Sequence, residues 1–132
     1  LLSFKSKNST SPVTLNNGSI SGGGTPTTVG PKDKFRVPVA ILTSNVTASS
    51  GEATLLSFRG LENTRTFGQP SAGYASGNLI IDMPDGAGLM VTTANDVART
   101  GEEFSEDPIA PDASTDRPEQ AATEWLHSQC GQ

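Results

Sequence analysis

With 132 residues, 33% of them hydrophobic, and a formal charge of −5, the chain is sized for one domain at most. One cysteine, Cys130, and one histidine, His127, exclude an internal disulfide framework, a cysteine-based zinc site and any motif that needs two histidines. Net acidity without a basic cluster speaks against a nucleic-acid partner, and no apolar run nears the ~20 residues of a membrane span.

Leu1-Leu2 is not a natural translation start, so the expectation is a piece of a longer protein whose upstream part is missing. Residues 1–35 are rich in Ser, Thr, Asn and Gly and read as a loop-rich β segment. Ser3–Lys7 and Pro12–Leu15 are two short strands, Asn16-Asn17-Gly18 a turn, and Gly22-Gly23-Gly24 a flexible surface loop. Arg36–Thr43 is the strongest strand. Its nearly continuous apolar character predicts cover on both faces, as for a central strand of an α/β sheet. A polar turn, Ser44–Ala48, then leads to a helix over about Ser49–Arg59, with Gly60 at its C-terminal cap. Thr64–Phe67 reads as a short strand and Gly68–Tyr74 as a loop. Asn78–Met83 and Gly88–Thr93 flank Pro84-Asp85-Gly86, a strong turn tripeptide, and predict a hairpin. Residues 94–117 read as irregular. Pro118 to about His127 is the closing helix, with Asp116 as a candidate cap and Ala121, Ala122, Trp125 and Leu126 on one face. Residues 101–132 carry eight acidic side chains and one basic, which marks 113–132 as an acidic, solvated end segment.

Chemistry concentrates at Thr47-Ala48-Ser49-Ser50-Gly51-Glu52. A strand, a tight turn and a helix that opens at a serine lift the hydroxyl out of the packed sheet. The first amides of any helix lack internal acceptors, and they point, with the helix dipole, at an oxyanion formed when the serine attacks a carbonyl. Ser49 is then the nucleophile and the Ser50 amide an oxyanion donor, while Gly51 lets a substrate backbone approach. The same letters are also Ser-x-x-Glu, a capping box in which Ser49 and Glu52 only satisfy free amides. Local physics leaves both readings open.

From about Arg36 to Asp112 the sequence resembles the catalytic core of the tail-specific (C-terminal-processing) serine protease family. Val37–Thr43 is like the strand before that family's nucleophile. Thr47-Ala48-Ser49-Ser50-Gly51-Glu52 is similar to its Ser/Thr-Ala-Ser-x-x-Glu signature, and Gly68-Gln69-Pro70-Ser71-Ala72-Gly73 to its Gly-Glu-x-Thr-x-Gly loop. Met83-Pro84-Asp85-Gly86 and Ile109-Ala110-Pro111-Asp112 resemble its hairpin and closing Pro-Asp. The family's Ser–Lys members carry the lysine where Tyr74 stands here, and a phenol with an ordinary pKa near 10 is no substitute for a neutral amine. The histidine-using branch, that of the tricorn core and nisin resistance proteins, is the better likeness. Its base lies in a segment well before the nucleophile, and so does its second oxyanion donor.

The resemblance implies an α/β fold with a ClpP/crotonase-like spiral β-sheet core flanked by helices, present here only as its C-terminal part over residues 36–112. It implies a serine peptidase acting on peptide or protein substrates, with no metal or cofactor. Glu106 takes the place of the late glutamate that supports the histidine, and Gly73 joins Gly51 as a substrate-side position. His127, on the closing helix, is a poor candidate base. An exported or envelope-associated location is implied. A catalytically inactive, peptide-binding or scaffolding relative is the alternative, with Tyr74 as its best support.

Overall fold

The structure is a computed structural model and describes residues 1–28 and 36–130. The end of the segment read as 1–35 therefore lies outside the described residues. The chain is a mixed α/β molecule. Its first strands are β1 (Ser3–Lys5), β2 (Thr10–Pro12), β3 (Thr14–Asn16), β4 (Ser19–Ser21) and β5 (Thr27–Thr28). After them come β6 (Val39–Thr43), α1 (Ser50–Phe58), β7 (Thr64–Gly68), β8 (Ser76–Asp82) and β9 (Gly88–Val97). The short β10 (Glu103–Phe104) and β11 (Ala113–Ser114) precede α2 (Pro118–Cys130).

Three sheets result. The parallel one runs β11-β7-β6 and is built around the crossover β6–α1–β7. An antiparallel sheet runs β10-β9-β1-β2, with β8 also on β9, and β3-β4-β5 form a small meander. The core lies between the first two. Leu55 and Leu56 of α1 meet Ala75, Ala98 and Ile109, with Ile41 and Phe104 packed against them. On the parallel sheet, α2 packs over β6 and β7, with Trp125 tilted against Phe67 at 5.8 Å between ring centres. Leu55 and Leu56 sit three and four residues from Glu52, so one helix face carries both the core contacts and a buried carboxylate.

Several expectations need correction. Val39–Thr43 is an edge strand among the described residues, with β7 at the centre, and Leu42 and Val37 are exposed; apolar continuity alone does not say which neighbour a strand receives. Residues 94–97 continue β9, because β1 and β10 pair with them on either side. Gly22-Gly23-Gly24 is an exposed loop, as expected, though Gly22 and Gly23 lie close against Pro12 and Phe4. Before α2 the Thr115 hydroxyl accepts the Arg117 amide at 3.1 Å, a tight turn into the helix, and among the described residues Asp116 makes no side-chain hydrogen bond to the first amides of α2. The hairpin β8–β9 forms around the expected turn, and its outer end leaves Leu79, Ile80, Leu89 and Met90 exposed.

Two ion pairs join elements distant in sequence. Lys5 of β1 meets Glu103 of β10 at 2.6 Å. Arg59, at the end of α1, grips Glu102 with two hydrogen bonds of 2.8 and 2.9 Å, which hold that carboxyl down at about 2.

Candidate active site

The turn between β6 and α1 delivers Ser49 to the surface in an unusual conformation. Its φ of 51° and ψ of −113° lie in the positive-φ region that a non-glycine residue rarely enters. A strained strand-to-helix turn is a recurrent way to present a nucleophilic serine. The capping box is present but lopsided. The Glu52 carboxylate accepts the Ser49 amide at 2.8 Å; the Ser49 side chain in turn faces the Glu52 amide, but without a cap hydrogen bond of standard length and angle.

Nearby amides divide cleanly. Gly51 N–H donates to Ala48 O and Ala53 N–H to Ser49 O, both at 2.9 Å. The Ser50 amide has no such partner among the described residues, and it sits at the positive end of a nine-residue helix. Both Ser49 and Ser50 are exposed.

Glu52 is the hub of the site. Fully buried, it accepts four hydrogen bonds: from Ser49 N–H, from the Ser71 hydroxyl at 2.5 Å, and from the Gly73 and Tyr74 amides at 2.8 Å each. Four donors match the roughly four acceptor positions of a carboxylate. The 68–74 loop is thereby tied to the mouth of α1. Ser71 passes the tie onward by accepting the Ile109 amide at 2.8 Å, and Asp112 closes it by pairing reciprocally with Thr66 at 2.7–2.8 Å. Both loop glycines are obligatory. A Cβ on Gly68 (φ 130°) would fall 2.0 Å from Thr43 O, and one on Gly73 (φ 88°) 2.6 Å from Glu106 O.

Two cavities share Ser49, Ser76 and Asn78. One, of about 510 Å³, is also lined by Gly73, Tyr74 and Glu106. The other, of about 600 Å³, adds Ser50, Ala53, Phe4 and Asp96. The structure thus brings Ser49, Ser50, Gly73 and Glu106 to one place. Gly73 is buried with its amide committed to Glu52. Gly51 is exposed and lines neither cavity. His127 is exposed near the end of α2 and lines neither.

Asp96 was hidden from sequence reading within a stretch that looked irregular. Ala94 and Asp96 of β9, and Ala98 just after it, fall on the alternating positions that face α1. Asp96 pairs across strands with Phe4 on one side and Phe104 on the other. Only 2% exposed, it has an Oδ1 without a hydrogen-bond partner among the described residues. Burial, helped by the charge of Glu52, pushes its carboxyl up to about 6. A raised pKa means that the folded protein keeps this proton after the unfolded chain has released it. Stability contributed by the neutral form is therefore lost as pH climbs from about 4 to about 6. At pH 7, Asp96→Asn should stabilise the fold by about 2–3 kcal/mol, at 1.36 kcal/mol per pKa unit, with no gain at pH 3.5. Urea denaturation of both proteins across that range checks it; a gain that does not change with pH refutes it.

Comparison with known proteins agrees with this geometry. Residues 3–115 match the model of peptidase family S41. The nisin-resistance protein of Lactococcus lactis subsp. lactis is 40% identical over 131 residues, covering 98% of this chain and 41% of that protein. A lipoprotein structure from Streptococcus agalactiae superposes with a TM-score of 0.68 and 44% identity, over 72% of this chain and 33% of that one. The photosystem II D1 C-terminal processing protease shares the fold at a TM-score of 0.54 and 23% identity, over 71% of this chain and 24% of that one. The chain therefore spans well under half the length of the relatives it matches. With an S41 match over most of its length and its strand–serine–helix turn braced by the family's glycine-bounded loop, this chain belongs to peptidase family S41.

Proposed function

We propose that the chain is the C-terminal portion of a serine peptidase core, of ClpP/crotonase-like spiral arrangement, and that Ser49 is its nucleophile. The observation that carries this is the strained, exposed Ser49 beside a Ser50 amide that has no partner among the described residues, at the junction of two cavities. Ser49 Oγ attacks a peptide carbonyl and the O–C bond forms. The hydroxyl proton passes to a general base and then to the leaving amine as the C–N bond breaks; water releases the acyl group by the same path in reverse. The Ser50 amide stabilises the tetrahedral oxyanion, where one such donor is typically worth about 3–4 kcal/mol of barrier. Tyr74 and His127 do not supply the base on this reading. It is a histidine from the part of the protein preceding this chain, supported through the cavity wall where Glu106 lies. The substrate is a peptide or protein tail. The names of the relatives, a lipoprotein and a nisin-resistance protein, support an exported or envelope-associated setting and a peptide substrate. Among the described residues no helix is long and apolar enough to cross a membrane.

An activity-based fluorophosphonate probe tests the nucleophile directly. The full-length protein should be labelled on Ser49, and labelling should vanish in Ser49→Ala. Undiminished labelling of that variant removes Ser49 from the mechanism.

A further inference from the structure

We propose that Asp96 is a specificity determinant that receives a basic side chain, Arg or Lys, of the bound peptide. This rests on the peptidase reading above and names the substrate class for that same site.

A carboxylate held 98% away from solvent normally finds donors, because leaving one unpaired in an apolar setting is costly. Asp96 lies between Phe4 and Phe104 on the neighbouring strands, and its Oδ1 has no partner among the described residues. Arginine and lysine side chains within the described part are engaged elsewhere or lie off this cavity: Lys5 pairs with Glu103 and Arg59 with Glu102. No basic residue lines the cavity of about 600 Å³ to which Asp96 contributes. The charge that acts on Asp96 is that of Glu52, of the same sign.

That cavity has the makings of a subsite. Its size falls within the roughly 300–1,000 Å³ usual for ligand pockets. Phe4, Ala53 and Leu79 give it apolar walls, suited to the methylene stem of a long cationic side chain whose charged head seeks a partner. Ser49 and Ser50 line the same space, so the side chain that fills it belongs to a residue close to the scissile bond. A guanidinium or ammonium entering here supplies the donors that Asp96 lacks, and a buried charge pair with good hydrogen bonds discriminates strongly against a neutral occupant.

The test uses the full-length protein in its Ser49→Ala form, so that binding is read without cleavage. Acetylated hexapeptides of Ala and Gly carry one arginine, moved through each position. A matched set carries citrulline, which keeps the shape and loses the charge. At one position the arginine peptide should bind at least tenfold more tightly than its citrulline twin, by calorimetry or fluorescence anisotropy. Asp96→Asn, which should fold at least as well at neutral pH, should abolish that ratio. Equal affinities throughout, no measurable binding of either set, or a preference that survives Asp96→Asn overturns the proposal. An arginine preference in a protein whose Ser49 fails to label would leave the subsite standing and refute the nucleophile instead.

Discussion

Glu52→Ala is expected to destabilise the protein by about 3–5 kcal/mol and to loosen the 68–74 loop. The carboxylate holds four donors at once. Two of them, the Ser71 hydroxyl and the Gly73 amide, belong to buried residues, and each buried donor left unmade costs about 1–3 kcal/mol. The Ser49 and Tyr74 amides are nearer to water and add less. Glu52→Gln keeps the shape but turns an amide N–H toward a ring of donors, so it should recover only part of the loss. Because Ala72, Gly73 and Tyr74 form the wall of the cavity at Ser49, peptide hydrolysis should fall with stability. Urea denaturation of both variants is the measurement. A cost below about 1 kcal/mol for the alanine variant would mean that the loop is held by something else.

Substitution at Ser49 should separate the nucleophile from the cap. On the peptidase reading, Ser49→Ala and Ser49→Gly each reduce hydrolysis by at least about a thousand-fold. Their effects on stability should run against capping. A residue held at φ 51° and ψ −113° stores on the order of 1–3 kcal/mol of backbone strain. Glycine releases it, so Ser49→Gly should gain about 1 kcal/mol after its greater unfolded-chain entropy is counted. Ser49→Ala should change stability little, because the hydroxyl makes no cap hydrogen bond of standard geometry. If Ser49→Ala instead costs about 1 kcal/mol and leaves hydrolysis intact, the serine is only tying off the helix.

Much of the molecule can be read along the chain where neighbours in sequence are also neighbours in space. The β8–β9 hairpin follows from a Pro-Asp-Gly turn between two apolar runs, and α1 from the serine, Glu52 and Gly60 that bracket it. The face of α2 named from its spacing is the one with buried Ala122 and half-buried Trp125. Legibility fails where partners come from far away. Residues 95–97 carry no alternation strong enough to mark a strand, and one of their two edges is paired by β1, some ninety positions earlier, with the short β10 on the other. The Arg36–Thr43 run is apolar enough for a central strand, yet its place in the sheet depends on which strands arrive beside it.

The chain's own order of residues was enough to locate the strand–serine–helix turn, to place Ser49 and Ser50 at its mouth, and to expose the ambiguity between cap and nucleophile, since all of these depend on contacts within a few residues. Folding in three dimensions decided the rest. It turned Glu52 from a capping partner into the anchor of a loop about twenty residues away, bent Ser49 into a conformation that capping does not require, and buried Asp96 between two phenylalanines beside the same cavity. Burial and hydrogen-bond satisfaction are properties of where distant segments meet, and no local pattern encodes them.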